Sequence, residues 1–243
     1  MTLKRVFRFP SHTRLIRETT AWLLDALITY QASQGVASLG LASGQLSRAI
    51  YEEFARQAPH TELDPRRLHL WWTWDHFVAA DSPRRNSLGT LSILASSLAL
   101  EPANIHLLPP FSIDSDPETG AAQYAQELSE AAAIDVCLIE LDADGGVAGL
   151  SPNNLHDAFF TTVAALAASP DDPDPIITMT PMGLRACRNC WILASGTGLA
   201  KTLEGADRRD MSLPVSSIAG ESNVSWFVDD AAAELLPFYH CSL

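Results

Sequence analysis

Apolar and polar positions along this chain change period repeatedly. The segment "HTRLIRETTAWLLDALITYQAS" carries apolar residues at helical spacing, among them Leu15, Trp22, Leu23, Ala26 and Leu27, which predicts a helix. After Gly35 the pattern shortens to a buried strand, "VASLGLA", and then returns to helical spacing through "QLSRAIYEEFARQ". "LHLWWTW" is rich in β-prone residues, and adjacent Trp71 and Trp72 predict burial on both faces. A loop, a helix over "LGTLSILASSLAL" and the short strand "NIHLLP" follow. "GAAQYAQELSEAAA" reads as helix and leads into the buried run "IDVCLIEL". A helix capped by Asn153 or Asn154 is then expected over "NLHDAFFTTVAALAAS", with a loop at "SPDDPDP". The strand "CWILAS", a helix from Gly198, the strand "VSWFV" and a helix over "DDAAAELL" complete the series.

This alternation predicts an α/β fold, a Rossmann-like and mostly parallel sheet with helices on both faces. The 243 residues, 47% of them hydrophobic, suffice for one domain spanning residues 1–243 with a sizeable core. In such sheets ligands bind beyond the carboxyl ends of the strands, so the strand-to-helix loops are where chemistry is sought. The net charge of −13 argues against a nucleic-acid partner and requires a locally positive pocket for any anionic ligand. Asp25 interrupts the early apolar run "AWLLDALITY", which is too short for a membrane span or signal core. Of the four cysteines only Cys187 and Cys190 are close in sequence, and no second metal-ligand pair accompanies them. Reduced, packed thiols in a cytoplasmic protein without a metal site are therefore expected.

Four loops carry candidate chemistry. "LASGQLS" and "LASGTGLA" are near-copies, each ending a strand in Ala-Ser-Gly and entering a helix whose first amides offer an anion site. "WDHFVAADSPRRN" sets Asp75 beside His76 and ends in Arg84, Arg85 and Asn86. The fourth, "DADGG", holds Asp142, Asp144, Gly145 and Gly146.

In this order the loops resemble the 6-phosphogluconolactonase family, related to the glucosamine-6-phosphate deaminases, over nearly the whole chain. "ASGQLS" stands where that family has a Gly-Gly-Ser-Thr-Pro-like phosphate loop. "WTWDHFVAADSPRRN" matches a strand ending Trp-x-Asp-Glu-Arg and a following Ser-Asn. "ELDADGGVAGLSP" matches Gly-x-Gly-x-Asp-Gly-His-Thr-Ala-Ser-Leu-Phe-Pro, and "IITMT", "GTGL" and "LPVSSI…WFVDDAAAELL" match the late segments. The resemblance implies hydrolysis of a sugar-phosphate lactone in the pentose phosphate route, with a histidine as general base and neither metal nor other cofactor. Its histidine position is Gly146, the arginine of Asp-Glu-Arg has no counterpart, Ile176 replaces a second arginine, and Leu199 replaces a lysine. Gly44, Asp75, Asn86, Asp144, Gly145 and Gly196 keep the pattern.

Replacement groups are sought among the remaining polar residues. His76 is the candidate base, weighed against a packed loop histidine, with Asp144 directed toward the pocket. His156 is expected to pack inward. Ser43, Gly44, Gln45, Asp75, Asn86, Gly145 and Gly146 are candidate ligand contacts, and Gly146 is expected to adopt positive φ. Arg84 and Arg85 form either a substitute phosphate clamp or a solvated pair, and Lys201 reaches the rim or lies on a helix surface. Two readings stand: a divergent lactone hydrolase, or a non-catalytic member that binds a sugar phosphate, a sugar acid or a protein. Either is expected as monomer or homodimer.

Overall fold

The computed structural model describes residues 5–155, 160–169, 172–221 and 223–237. Its main sheet uses β1 (Val6–Phe9), β2 (Ala37–Leu41), β3 (Leu68–Trp72), β5 (Ile105–His106), β6 (Val136–Glu140), β9 (Cys190–Ala194) and β10 (Val224–Asp229). The strand order is β1-β10-β9-β6-β2-β3-β5, and every pairing is parallel. The α/β architecture, with helices on both faces, is the expected one. β2 and β9 are buried along their whole length, as their near-continuous apolar runs require.

Helix α1 (His12–Gln34) begins where the Ser11 side chain accepts the Arg14 amide and ends at Gly35, whose φ of 88° closes the last turn onto Gln31. Leu15, Leu23 and Leu27 face the core, while Trp22 meets Phe7 and Phe227 edge-on. α2 (Gln45–Gln57) buries Leu46, Ile50, Tyr51 and Phe54 on one stripe. α4 (Pro117–Glu130) is capped by Asp116 and packs against the smaller sheet. No helix of the described residues is long and apolar enough to cross a membrane.

Four expectations are corrected. "LHLWWTW" is two strands, because Thr73 pairs with Leu41 and β4 (Trp74–His76) then turns into a second sheet. That sheet has the order β4-β8-β7 and is antiparallel. The expected helix over "NLHDAFFTTVAALAAS" holds β7 (Val163–Leu166), which pairs with β8 (Ile176–Met179); the β-branched run Thr161, Thr162, Val163 suits a pleated surface. His156, expected to pack inward, lies outside the described residues. α3 (Asn86–Leu94) is shorter than expected, and residues 230–236 form turns rather than a helix. Two further short helices, α5 (Pro181–Arg185) and α6 (Ala200–Asp207), flank β9 in sequence.

Trp71 and Trp72 are buried as expected, and both sheets contribute to one hydrophobic cluster. Cys137, Cys187 and Cys190 are buried and unpaired. A single phenol ties α4 to the edge of the main sheet: Tyr124 Oη accepts from the Trp72 amide at 2.9 Å and donates to the Trp72 carbonyl at 3.0 Å. Tyr124→Phe leaves those buried groups without their partner, so denaturant unfolding should show a loss of about 1–3 kcal/mol. An unchanged midpoint would mean that the main-chain groups find another partner.

Candidate active site

The strands succeed one another outward from β2 to β3 and β5, then restart at β6 on the other side of β2. The crevice beyond the carboxyl ends of β2 and β6 is therefore the topological switch point, where open α/β sheets bind ligands. There Glu140, at the end of β6, reaches the loop that leaves β2, while Asp144 of "DADGG" and Gly44 of "ASGQ" line two different clefts.

The seat at the start of α2 is filled by the chain itself. Glu140, the last residue of β6, accepts from the Leu46 amide (3.1 Å) and the Ser47 amide (2.7 Å). Gly44 makes this possible: its φ is 143°, and a Cβ there would lie 2.2 Å from the Glu140 carboxyl carbon. The second Ala-Ser-Gly loop behaves alike. Asp229 accepts from Ser195 Oγ (2.5 Å) and the Gly196 amide (3.0 Å), and Ser195 Oγ also meets His12 Nδ1 at 2.8 Å. Burial alone would raise the Asp229 carboxyl, but hydrogen bonds from Ser195, Ala232 and Gly196 outweigh it and lower it.

Asp75 lies under the rim, 1% exposed, and accepts from the Asn86 amide (2.6 Å), the Ser87 hydroxyl (2.7 Å) and the His76 amide (2.9 Å). It thus caps α3 and pairs with the buried Arg85 at 3.0 Å. Arg85 is not a solvated partner of Arg84: it also donates to the Leu108 carbonyl at 2.6 Å, leaving Nη1 without a partner. Arg84 is partly exposed and binds Asp172 (2.6 Å) and Asp174. His76 sits between the Arg84 carbonyl and Asp172, 2.8 Å from each. Both ring nitrogens are therefore engaged by oxygen atoms, and neither is open to a water.

The loop after β6 folds through an Asx turn, Asp144 Oδ1 accepting from the Gly146 amide at 2.9 Å. Positive φ belongs to Gly145 (86°), not to Gly146 as expected. Gly146 is constrained by space instead, since a Cβ would stand 2.7 Å from the Leu150 carbonyl oxygen. The same Cβ would be 3.3 Å from Asp142 Oδ2. Partial desolvation, then the charges of Asp144 and Glu140, push the Asp142 carboxyl up to about 6, although the residue keeps solvent access.

Two clefts flank these loops. One, of about 230 Å³, is lined by Ser43, Gly44, Arg48, Arg84, Arg85 and Asn86. Ser43 Oγ and Arg85 Nη1 are its unpartnered buried polar atoms. The other, of about 660 Å³, is lined by Trp74, Asp144, Gly149, Asn153, Asp172 and Asp174. Gln45 is exposed at the start of α2, and Gly145 and Gly146 are buried. Lys201 is exposed on α6, beside Thr202, whose hydroxyl holds the Ala143 carbonyl at 2.7 Å. Sequence reasoning missed Glu140, Asp172 and Asp229 as shapers of the rim, and placed Asp142 in "DADGG" without a role as base. The available signal was a charged residue closing the apolar runs "VCLIE" and "VSWFVD".

With this geometry in hand, likeness to known proteins is informative. Residues 10–226 match the family described as glucosamine-6-phosphate isomerases/6-phosphogluconolactonase. The 6-phosphogluconolactonase of Streptomyces coelicolor is 31% identical over 237 residues, covering 89% of this chain and 88% of that one. That of Mycobacterium tuberculosis is 27% identical over 243 residues, covering 94% and 97%. Among solved structures, 6-phosphogluconolactonase from Trypanosoma brucei superposes with a TM-score of 0.82 at 18% identity, covering 98% of this chain and 100% of that one. A monomeric glucosamine-6-phosphate deaminase gives 0.84 at 16% identity, covering 96% and 100%, so these last two likenesses speak to the fold. The chain belongs to the glucosamine-6-phosphate isomerase/6-phosphogluconolactonase family.

Proposed function

We propose that this protein hydrolyses 6-phosphogluconolactone to 6-phosphogluconate in the pentose phosphate pathway, acting in the cytoplasm as a monomer or homodimer. The observation that carries this reading is likeness along nearly the full length of both chains to proteins named for that reaction. The crevice between β2 and β6 gives a place for a sugar lactone. Unpartnered donors on Ser43 and Arg85 are suited to its oxygens.

The reaction needs a base beside the attacking water. Asp142 is the group we assign, because its Oδ2 stands 3.3 Å from where a side chain on residue 146 would begin. A carboxyl near 6 is ionised at neutral pH and still basic enough to accept a proton. Water oxygen bonds to the lactone carbonyl carbon as its proton passes to Asp142. The ring carbon–oxygen bond then breaks, and the same proton goes to the departing oxygen.

A second reading, a non-catalytic ligand-binding member, is favoured by two observations. Gly146 has no room for a side chain, and His76 is engaged at both nitrogens. Lactone hydrolysis with the spontaneous rate subtracted separates the two readings.

If Asp142 is the base, the corrected rate should rise through pH 6 and level off above it, since only the deprotonated carboxylate is competent. Asp142→Asn should lower the rate by about 10²–10⁴-fold and remove that inflection. His76→Ala should leave the inflection in place; an inflection lost with His76 and kept without Asp142 would transfer the role to the histidine.

Ligand binding is tested separately by titration with 6-phosphogluconate. Arg84→Ala should change affinity little, because Asp172 and Asp174 already occupy its guanidinium. Arg85→Lys keeps a cation opposite Asp75 but removes Nη1, and should weaken binding. Equal effects from the two variants would remove Arg85 from the site.

A further inference from the structure

The amides at the start of a helix are a natural seat for a ligand's anionic group. α2 presents its first turn at the switch-point crevice, next to a cleft that also holds the spare Arg85 Nη1. That second donor is on a side chain only 2% exposed and marks the cleft as built for oxygen atoms. Yet the seat is taken. Glu140 spans it with both carboxylate oxygens, one on Leu46 and one on Ser47, and Gly44 leaves the carboxyl its space.

The surroundings do not offset this. Arg84 is committed to two aspartates, Arg85 is balanced by Asp75, and Arg48 pairs with Glu52. Asp142 and Asp144 add negative charge from the next loop. A phosphate dianion reaching the α2 amides must either displace Glu140 or lie beside it. A hydroxymethyl group at the same position meets neither demand, because it carries no charge and needs no more than one or two hydrogen bonds.

We propose that Glu140 is a specificity-determining residue: its carboxylate competes with the phosphate of a sugar-phosphate ligand for the α2 amides, so the unphosphorylated sugar acid or lactone binds at least as well. This rests on the proposed function only for the sugar-acid class of ligand. The phosphorylated lactone remains a substrate, but its phosphate adds no affinity.

The test is calorimetric titration of the intact protein with 6-phosphogluconate and with gluconate at one ionic strength, using wild type, Glu140→Gln and Glu140→Gly. Glu140→Gln keeps the side-chain length and one acceptor while removing the charge, so it carries the test if the glycine variant does not fold. The wild type should bind the two ligands comparably. Glu140→Gln should tighten 6-phosphogluconate by about tenfold or more and leave gluconate within about twofold. No change for 6-phosphogluconate, or equal tightening for both ligands, would overturn the proposal. Because binding is read directly, a wild type without lactone turnover sinks the hydrolase reading and leaves this result standing or falling by itself.

Discussion

Parallel strands that feed helices leave main-chain amides pointing at a shared crevice, and each buried amide needs an acceptor. In this protein the chain's own carboxylates meet that need at three of the loops that leave strands. Glu140 takes the start of α2, Asp75 the start of α3, and Asp229 the turn after β9. The rest of the rim follows from these contacts. Asp75 brings Arg85 inward, Arg85 fixes the segment at Leu108, and Glu140 locks the β6 end to α2. The arrangement gives a rigid rim, and it uses internally the donors that an anionic ligand would otherwise employ.

The same rim holds carboxylates of opposite character, and the difference lies in their donors. Asp229 receives hydrogen bonds from Ser195, Gly196 and Ala232, which favour its charged form despite burial. Asp142 receives none among the described residues; partial desolvation, and then the charges of Asp144 and Glu140, favour its neutral form. One carboxylate is thereby held toward its charged form by the rim it supports, while the other is pushed up to about 6. Acid–base chemistry on a single scaffold arises from such contrasts.

The parallel sheet was legible because apolar runs, glycine turns and helical periods alternate in step, from "VASLGLA" into "QLSRAIYEEFARQ" and onward. The convergence of the Ser43, Gly44, Arg84, Arg85 and Asn86 loops followed from that alternation. What stayed hidden depends on partners distant in sequence. "VAALAA" has the composition of a helix, and only the register against β8 makes Val163–Leu166 a strand. Arg85 reads like Arg84 in sequence, yet one is buried by Asp75 and Leu108 while the other is held at the surface by the acidic loop. His76 carries the right chemistry for a base, but Asp172, almost a hundred residues away, takes its Nε2. Gly146 reads as a flexible turn residue, whereas its real constraint is the Leu150 carbonyl.

The pairing of β1 with β10 has a consequence for how the molecule is made. Val6 to Phe9 lie against Trp226 to Asp229, so one edge of the sheet joins segments from opposite ends of the described chain. On the ribosome, β1 and α1 emerge early and can meet through Phe7 and Trp22, but β1 has no strand partner until β10 has been synthesised. β2, β3, β5 and β6 can assemble among themselves long before that, since they are mutually adjacent in the sheet. Translation therefore orders assembly from the middle outward, with the Phe7, Trp22 and Phe227 aromatic contact closing last. Until then the backbone edge of β1 that β10 covers in the finished sheet has no ladder to join.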